Sequence, residues 1–177
     1  MKEKITKIRK IKLQAVIMAV VMLVLDQISK WLVDWFLPRP PAVTTVIPYV
    51  IDFRYVQNEG AAFGWFSDQR WIFLVTTTVF LVIAIYAFFS LKIEQKLVNF
   101  ALMLIVSGGI GNMIDRIFRG FVIDFINFTF VDFFVFNIAD CCVVIGCALF
   151  VLYLIIDSLK EKRFFGSKDV GSDSSKR

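Results

Sequence analysis

Two aspartates sixteen positions apart, Asp124 and Asp140, stand in a stretch made mostly of Phe, Ile and Val, SGGIGNMIDRIFRGFVIDFINFTFVDFFVFNIAD (107–140). Carboxylates are expensive at membrane depth and persist there where they are paired or used. Two of them brought together in a low dielectric cannot both ionise easily, so one takes up a proton and the pair titrates as a unit. Such a dyad hydrolyses an amide without a covalent intermediate. The carboxylate takes a proton from water while the carboxylic acid protonates the carbonyl oxygen or the leaving nitrogen. The spacing, with one aspartate in a loop and one at a helix start, permits the two to meet but does not require it. Asn112, Arg116 and Asn137 carry donors that could orient substrate carbonyls. Against this stands the plain reading of an aspartate near a helix end, a cap or a snorkelling charge. Asp115 beside Arg116 reads as part of a local ion pair, and Asp132 as a surface residue.

The same reasoning extends along the chain. Asp26, Lys30 and Asp34 stand at i, i+4 and i+8 and share one helix face, with Asp before Lys in the order that favours an ion pair. Asp26 and Lys30 therefore read as a snorkelling structural pair rather than as reacting groups. Asn58 and Gly60, in NEGAAFGWF, read as a turn leading into an interfacial segment.

Composition narrows the chemistry further. The 177 residues are 58% hydrophobic with a mean hydropathy of +0.73, above the 45–50% or so of a soluble domain. A bilayer is the expected solvent. There is no histidine, which removes Ser-His and Cys-His nucleophiles, His-ligated metals and imidazole acid–base chemistry together. Cys141, Cys142 and Cys147 lie in one apolar run with neither zinc-ligand spacing nor a disulfide framework. Neither metal nor cofactor is expected. The net charge of +5 is not laid out as a basic stripe with interleaved aromatics, so nucleic acid is not an expected partner. The basic residues sit at the ends and in a short loop, which suits anionic phospholipid headgroups.

The elements that must position the aspartates follow from the apolar runs. The pattern predicts an all-α membrane protein with four transmembrane helices, at about 11–37, 71–91, 97–113 and 136–156. A small β-rich platform and an interfacial segment are expected between them. TTVIPYVIDFRYVQ alternates, with Ile51, Phe53 and Tyr55 on one face and Asp52 and Arg54 on the other. VIDFINFTF reads as a strand with Val122, Asp124, Ile126 and Phe128 on one face. Seven phenylalanines between 121 and 136 fit an aromatic belt. Gly108, Gly109 and Gly111 permit close approach or partial unwinding at the end of the third span. Residues 1–157 are read as one domain, followed by a polar tail, 158–177, expected to be disordered and cytoplasmic. Lys and Arg number six in the N-terminal segment, two in the 92–96 loop and six in the tail, against three and two in the loops 38–70 and 114–136. Both termini are therefore expected in the cytoplasm and the two long loops outside. Asp26, Asn58, Asn112, Asp124 and Asp140 then fall at one depth, the outer end of the bundle.

These residues carry a resemblance. DQISK (26–30), NEGAAF (58–63), GNMIDR (111–116), VIDF (122–125) and FNIAD (136–140), in this order on four spans, resemble signal peptidase II, the bacterial prolipoprotein signal peptidase, over residues 11–157. The resemblance implies an aspartic endopeptidase of the bacterial cytoplasmic (inner) membrane, acting at its outer face. It removes signal peptides just before a diacylglyceryl-modified cysteine. It implies Asp124 and Asp140 as the catalytic pair, with Asn58, Gly60, Asn112, Arg116 and Asn137 lining the substrate groove. Asp26, Lys30 and Asp115 would be support. It implies diacylglyceryl prolipoproteins as substrates, cyclic peptides of the globomycin type as inhibitors, and a monomer. The loop 38–70 would clamp the substrate through GAAFGWF (60–66).

Other classes remain open on residues alone. A proton-coupled transporter also keeps carboxylates at one depth, although four spans without an internal repeat speak against it. A presenilin-like protease would carry Gly-x-Gly-Asp, where this chain reads GIGN.

Overall fold

The computed structural model describes residues 2–37, 39–40, 42–60, 70–91 and 93–173, without the side chains of 70 and 161–173. Most of GAAFGWF, residues 61–66, lies outside the described residues, and with it the proposed clamp. Seven elements follow in order: α1 (Lys2–Phe36), β1 (Thr44–Ile47), β2 (Ile51–Asn58), α2 (Arg70–Ser90), α3 (Lys96–Phe118), β3 (Val122–Phe128) and α4 (Ile138–Asp173). Four of these helices contain a stretch long and apolar enough to cross a membrane. The chain is a multi-pass membrane protein, mostly helical, with one small antiparallel sheet.

α3 is the axis of the bundle and packs against each of the other three helices. Ala15 and Ala19 of α1, Leu81, Ala84 and Phe88 of α2, and Met103 and Val106 of α3 form one core cluster. Much of the remaining apolar surface, including Val20, Val75, Val79, Val144 and Val151, is exposed, as expected where lipid rather than water surrounds the helices. At the end of the bundle away from the sheet, the Lys12 ammonium caps α2 by donating to the carbonyls of Phe88, Phe89 and Leu91.

Three helices differ at their ends from the sequence reading. α1 begins at Lys2 rather than near 11, because KEKITKIRKIK contains no helix breaker. α3 runs through SGGIGN to Phe118, so its glycines do not unwind it. They let neighbouring helices come close instead: a Cβ on Gly108 would strike the Ala139 carbonyl oxygen of α4. On Gly111 it would lie 2.5 Å from Asp26 Oδ2 of α1. α4 starts two residues late, at Ile138, and continues as helix to Asp173, where a disordered tail was expected. Leu159, Lys160, Glu161 and Lys162 are good helix formers and no proline interrupts them.

The sheet has the order β1-β2-β3 and caps one end of the bundle. β2 carries a bulge: Phe53 pairs with Ile126 and Val56 with Asp124, three steps on one strand against two on the other. This corrects the expected alternation. Ile51, Phe53, Val56 and Asn58 oppose the even-numbered residues of β3, whereas Tyr55 turns to the other face. There it joins Ile123, Phe125 and Val33 in a second core cluster. The bulge thus puts Asn58 on the same face as Asp124. The outer edge of β3 is covered by Phe136, bonded to Phe125 and Ile126.

Candidate active site

The site begins with the start of α4. Asn137 precedes its first turn, and the Asp140 N–H donates to Asn137 Oδ1 at 2.9 Å. In return the Asn137 N–H donates to Asp140 Oδ2 at 3.1 Å. This reciprocal arrangement is a capping box, which satisfies two backbone donors the helix would otherwise leave open. Asp140 is therefore a cap, as the plain reading had it. Its other oxygen is free of that task, and Oδ1 accepts from Asn112 Nδ2 at 2.7 Å.

Asp124 comes from β3 and is 2% exposed. Its two oxygens accept from two amides: Asn58 Nδ2 at 2.8 Å and Asn137 Nδ2 at 2.6 Å. Asn137 thus touches both carboxylates, one with its side chain and the other with its backbone. Each amide is pinned in that sense, because Asn58 Oδ1 accepts the Gly60 N–H at 2.9 Å and Asn137 Oδ1 the Asp140 N–H. Gly60 itself has φ +98° and lies against the Phe73 ring, so its backbone demands glycine. Burial pushes the Asp124 carboxyl up to about 6, and the charge of Asp140 adds to the rise. The amides of Asn58 and Asn137 and the Lys30 charge act the other way.

Beneath the two carboxylates lies a buried charged layer. Lys30 is 0% exposed, so it does not snorkel as expected. Its ammonium reaches Asp26 Oδ2 at 3.0 Å, Asp115 Oδ2 at 3.1 Å and Asn112 Oδ1 at 2.9 Å. Those three partners use all three of its donors. Asp26 Oδ1 in turn accepts the Ala139 N–H at the start of α4, at 2.8 Å, where a carboxylate favours the helix dipole. Asp115 pairs with Lys30 and Arg119 and accepts the Ile123 N–H, not with its neighbour Arg116. Asp34 leaves the Lys30 face and binds Arg39, Tyr55 and Arg119 instead.

All ten residues singled out from sequence lie at the sheet end of the bundle, though not all touch. Arg116 stands apart from the carboxylates: its guanidinium lies over the Phe73 ring, with Nη1 3.4 Å from the Asn112 carbonyl and a buried Nε without a partner. Two residues of the network were missed. Gln27 bridges Asp26 Oδ2 and the Gly111 carbonyl. Arg119 joins Asp34 to Asp115, and its i+4 spacing from Asp115 was a readable signal.

Three hollows meet at the carboxylates. One of about 410 Å³ runs between α2 and α4 over a floor of α3, lined by Thr77, Phe80, Gly109, Arg116, Asp140 and Val143 among others. A second, about 500 Å³ and strongly apolar, has Asp124 and Asp140 in its wall with Phe128, Phe133 and Phe136. A third, about 600 Å³, leads from Asn58 and Asp124 over the sheet. Among the described residues no cluster of His, Cys, Asp and Glu is placed to hold a metal ion. The arrangement offers a protonatable pair beside apolar space, with amides and a guanidinium around it.

Comparison with known proteins adds independent findings. The family described as signal peptidase (SPase) II matches residues 18–156. A lipoprotein signal peptidase of Shouchella clausii is 41% identical over 152 residues, covering 84% of this chain and 97% of the relative. One of Streptococcus pyogenes serotype M5 is 41% identical over 143 residues, covering 78% and 91%. Two structures of bacterial membrane enzymes solved by the in meso method, at 2.3 and 1.9 Å, superpose with TM-scores of 0.77 and 0.74. Both are 30% identical, covering 82% and 80% of this chain and 89% and 92% of theirs.

Proposed function

The chain belongs to the signal peptidase II family, a family of peptidases, and on that premise we propose that it removes signal peptides from diacylglyceryl-modified prolipoproteins, with Asp124 and Asp140 as its catalytic dyad. The observation that carries the reading is the pair itself. Two carboxylates from different elements, β3 and the start of α4, face one cavity, tied by Asn137, and burial together with the charge of Asp140 raises the Asp124 carboxyl to about 6.

In the mechanism we infer, Asp124 carries the shared proton. As an acid it keeps acceptor sites on both oxygens for Asn58 and Asn137 while its O–H is free to turn to substrate. Asp140, as carboxylate, takes a proton from a water whose oxygen attacks the scissile carbonyl carbon. Asp124 gives its proton to the carbonyl oxygen, so a neutral gem-diol forms. Asp140 then passes its proton to the leaving nitrogen as the C–N bond breaks, and Asp124 recovers one from a diol hydroxyl. The products are the signal peptide's new carboxylic acid end and the amine of the lipidated cysteine, between which a proton then passes to give carboxylate and ammonium. Asn112 and Asn137 hold Asp140, Asn58 holds Asp124, and Arg116 reaches substrate carbonyls. Asp26, Lys30 and Asp115 support the layer below.

The substrate would lie with its signal helix in the groove between α2 and α4 and its acyl chains against the apolar second hollow. The asymmetry of Lys and Arg supports cytoplasmic termini in a bacterial inner membrane, with the dyad at the outer face. Cyclic peptides of the globomycin type would compete at the dyad.

The test uses purified protein in nanodiscs and a lipobox precursor with and without its diacylglyceryl group, followed by gel shift. Cleavage of the lipidated form alone, abolished in Asp124→Asn and in Asp140→Asn, is the expected result. Unimpaired cleavage by either variant removes that residue from the mechanism.

A further inference from the structure

The hollow over the sheet has no part in the chemistry above, yet it opens at the dyad. Asn58 and Asp124 stand in its inner wall, and from there it runs about 600 Å³ past Asn127, Glu59 and Asp132. It is the most polar of the three hollows that meet at the dyad, and leads away from the membrane helices onto the platform. Asn127 is the informative residue. It is 6% exposed and lines the hollow; its side-chain amide has no hydrogen-bond partner among the described residues and is not sealed away from solvent. An amide that lines a groove without a protein partner is available to what enters it. An amide both donates and accepts, which matches the N–H and C=O of an extended peptide. Glu59 and Asp132 are exposed and form no ion pair among the described residues. The one cation of the groove among the described residues, Arg54, leans toward Asp52 at 3.7 Å.

We propose that this groove binds the polypeptide that follows the cleaved bond, the first extended residues after the lipidated cysteine, and that its acidic rim selects for basic side chains there. The inference rests on the peptidase reading and adds a subsite to it. The bound cysteine would place its nitrogen at the dyad, and the chain beyond it must leave by a route that is neither the helix groove nor the apolar hollow. The third hollow is that route. Asn127 would anchor the backbone; Glu59 and Asp132 would attract Lys or Arg at the second to fourth positions and repel Asp or Glu.

The experiment measures kcat and KM of the full chain in nanodiscs of zwitterionic lipid. The substrates are three lipidated precursor peptides that differ only after the cysteine, carrying Lys-Lys, Ser-Ser or Asp-Asp. Exposed charge contacts of this kind change affinity by about two- to fivefold each. KM should therefore rise from Lys through Ser to Asp, with kcat little changed, and the spread should shrink in high salt. Asp132→Lys should reverse the order, and Glu59→Gln should narrow it. Asn127→Ala should raise KM for all three peptides alike, with folding checked by thermal melting. Equal KM values across the series in wild type, or an order untouched by Asp132→Lys, would overturn the subsite while leaving the peptidase in place. No cleavage of any peptide by folded wild type would sink the peptidase reading, and this inference with it.

Discussion

Lys30 donates to Asn112 Oδ1 at 2.9 Å and so decides which end of that amide faces Asp140, 2.7 Å away on the other side. A rotated amide would set two oxygens against each other at Asp140 and a nitrogen against the ammonium. The Asn137 Nδ2 contact to the same Oδ1, at 3.2 Å, adds to the preference. A residue with no contact to either Asp124 or Asp140 thereby orders one of them.

Lys30→Met should lose both stability and activity. Asp26 and Asp115 would be left buried with their central cation gone, a change that costs about 3–5 kcal/mol in comparable sites. Asp26→Asn combined with Lys30→Met should regain part of the melting temperature but not the turnover, because Asn112 stays unfixed. Thermal melting in detergent and a cleavage assay separate the two effects. Full turnover in the double variant would show that Lys30 serves only charge balance.

Asn137 divides cleanly into two tasks. Asn137→Ser keeps a capping oxygen for the Asp140 N–H but loses Nδ2 and its bond to Asp124. Asn137→Ala loses both, at about 1 kcal/mol for the cap. The serine variant should therefore melt close to wild type while its kcat falls at least about tenfold, the usual scale for one misplaced catalytic contact. A serine variant with unchanged kcat would confine Asn137 to capping.

The pH profile should carry the signature of Asp124. Its carboxyl is raised from the ordinary carboxylate range to about 6, so the folded protein binds this proton more tightly than the unfolded chain does. The associated stability is complete below about 4, the unfolded value, and is lost as pH climbs through 6. For activity, the proposed mechanism expects kcat/KM to decline above about pH 6 as the free enzyme loses the Asp124 proton. The kcat profile should turn over at higher pH, because bound substrate displaces water and strengthens the same burial. Superposable profiles for kcat and kcat/KM would count against that burial effect.

Gly108→Ala tests the close approach of α3 and α4. The added methyl meets the Ala139 carbonyl oxygen, which is backbone and cannot swing aside. Overpacking of this kind costs about 1–3 kcal/mol. It should also displace Ala139 and Asp140 from Asp26 and Asn112, so activity falls with the melting temperature. Gly109→Ala meets only the flexible Leu81 side chain at 3.0 Å and should be milder in both measurements.

Much of this was legible along the chain. Four apolar runs announced four helices, because a bilayer demands about twenty apolar residues per crossing wherever they occur. The Asn-x-x-Asp start of α4 and the Asp26–Lys30 pair are contacts within one helical turn. The even-numbered face of β3 also followed from local alternation, since a strand sets side chains by parity. Helix ends were less readable. Hydropathy tracks the membrane, whereas α1 and α4 continue as helix wherever nothing breaks them.

Tertiary structure alone decided what those side chains do. Asn58 reaches Asp124 across 66 positions only because a bulge in β2 shifts its face, and a bulge is set by pairing with β3. Lys30 reaches Asn112 across 82 positions, and Arg119 reaches Asp34 across 85, contacts that only the packing of α1 on α3 creates; glycines in α3 admit the backbone of α4 and the Asp26 carboxylate of α1. Residue types and local spacing determine which groups can react and on which element they ride. Their distances, burial and proton affinity come from packing between segments far apart in sequence, where the low dielectric that raises Asp124 is itself created.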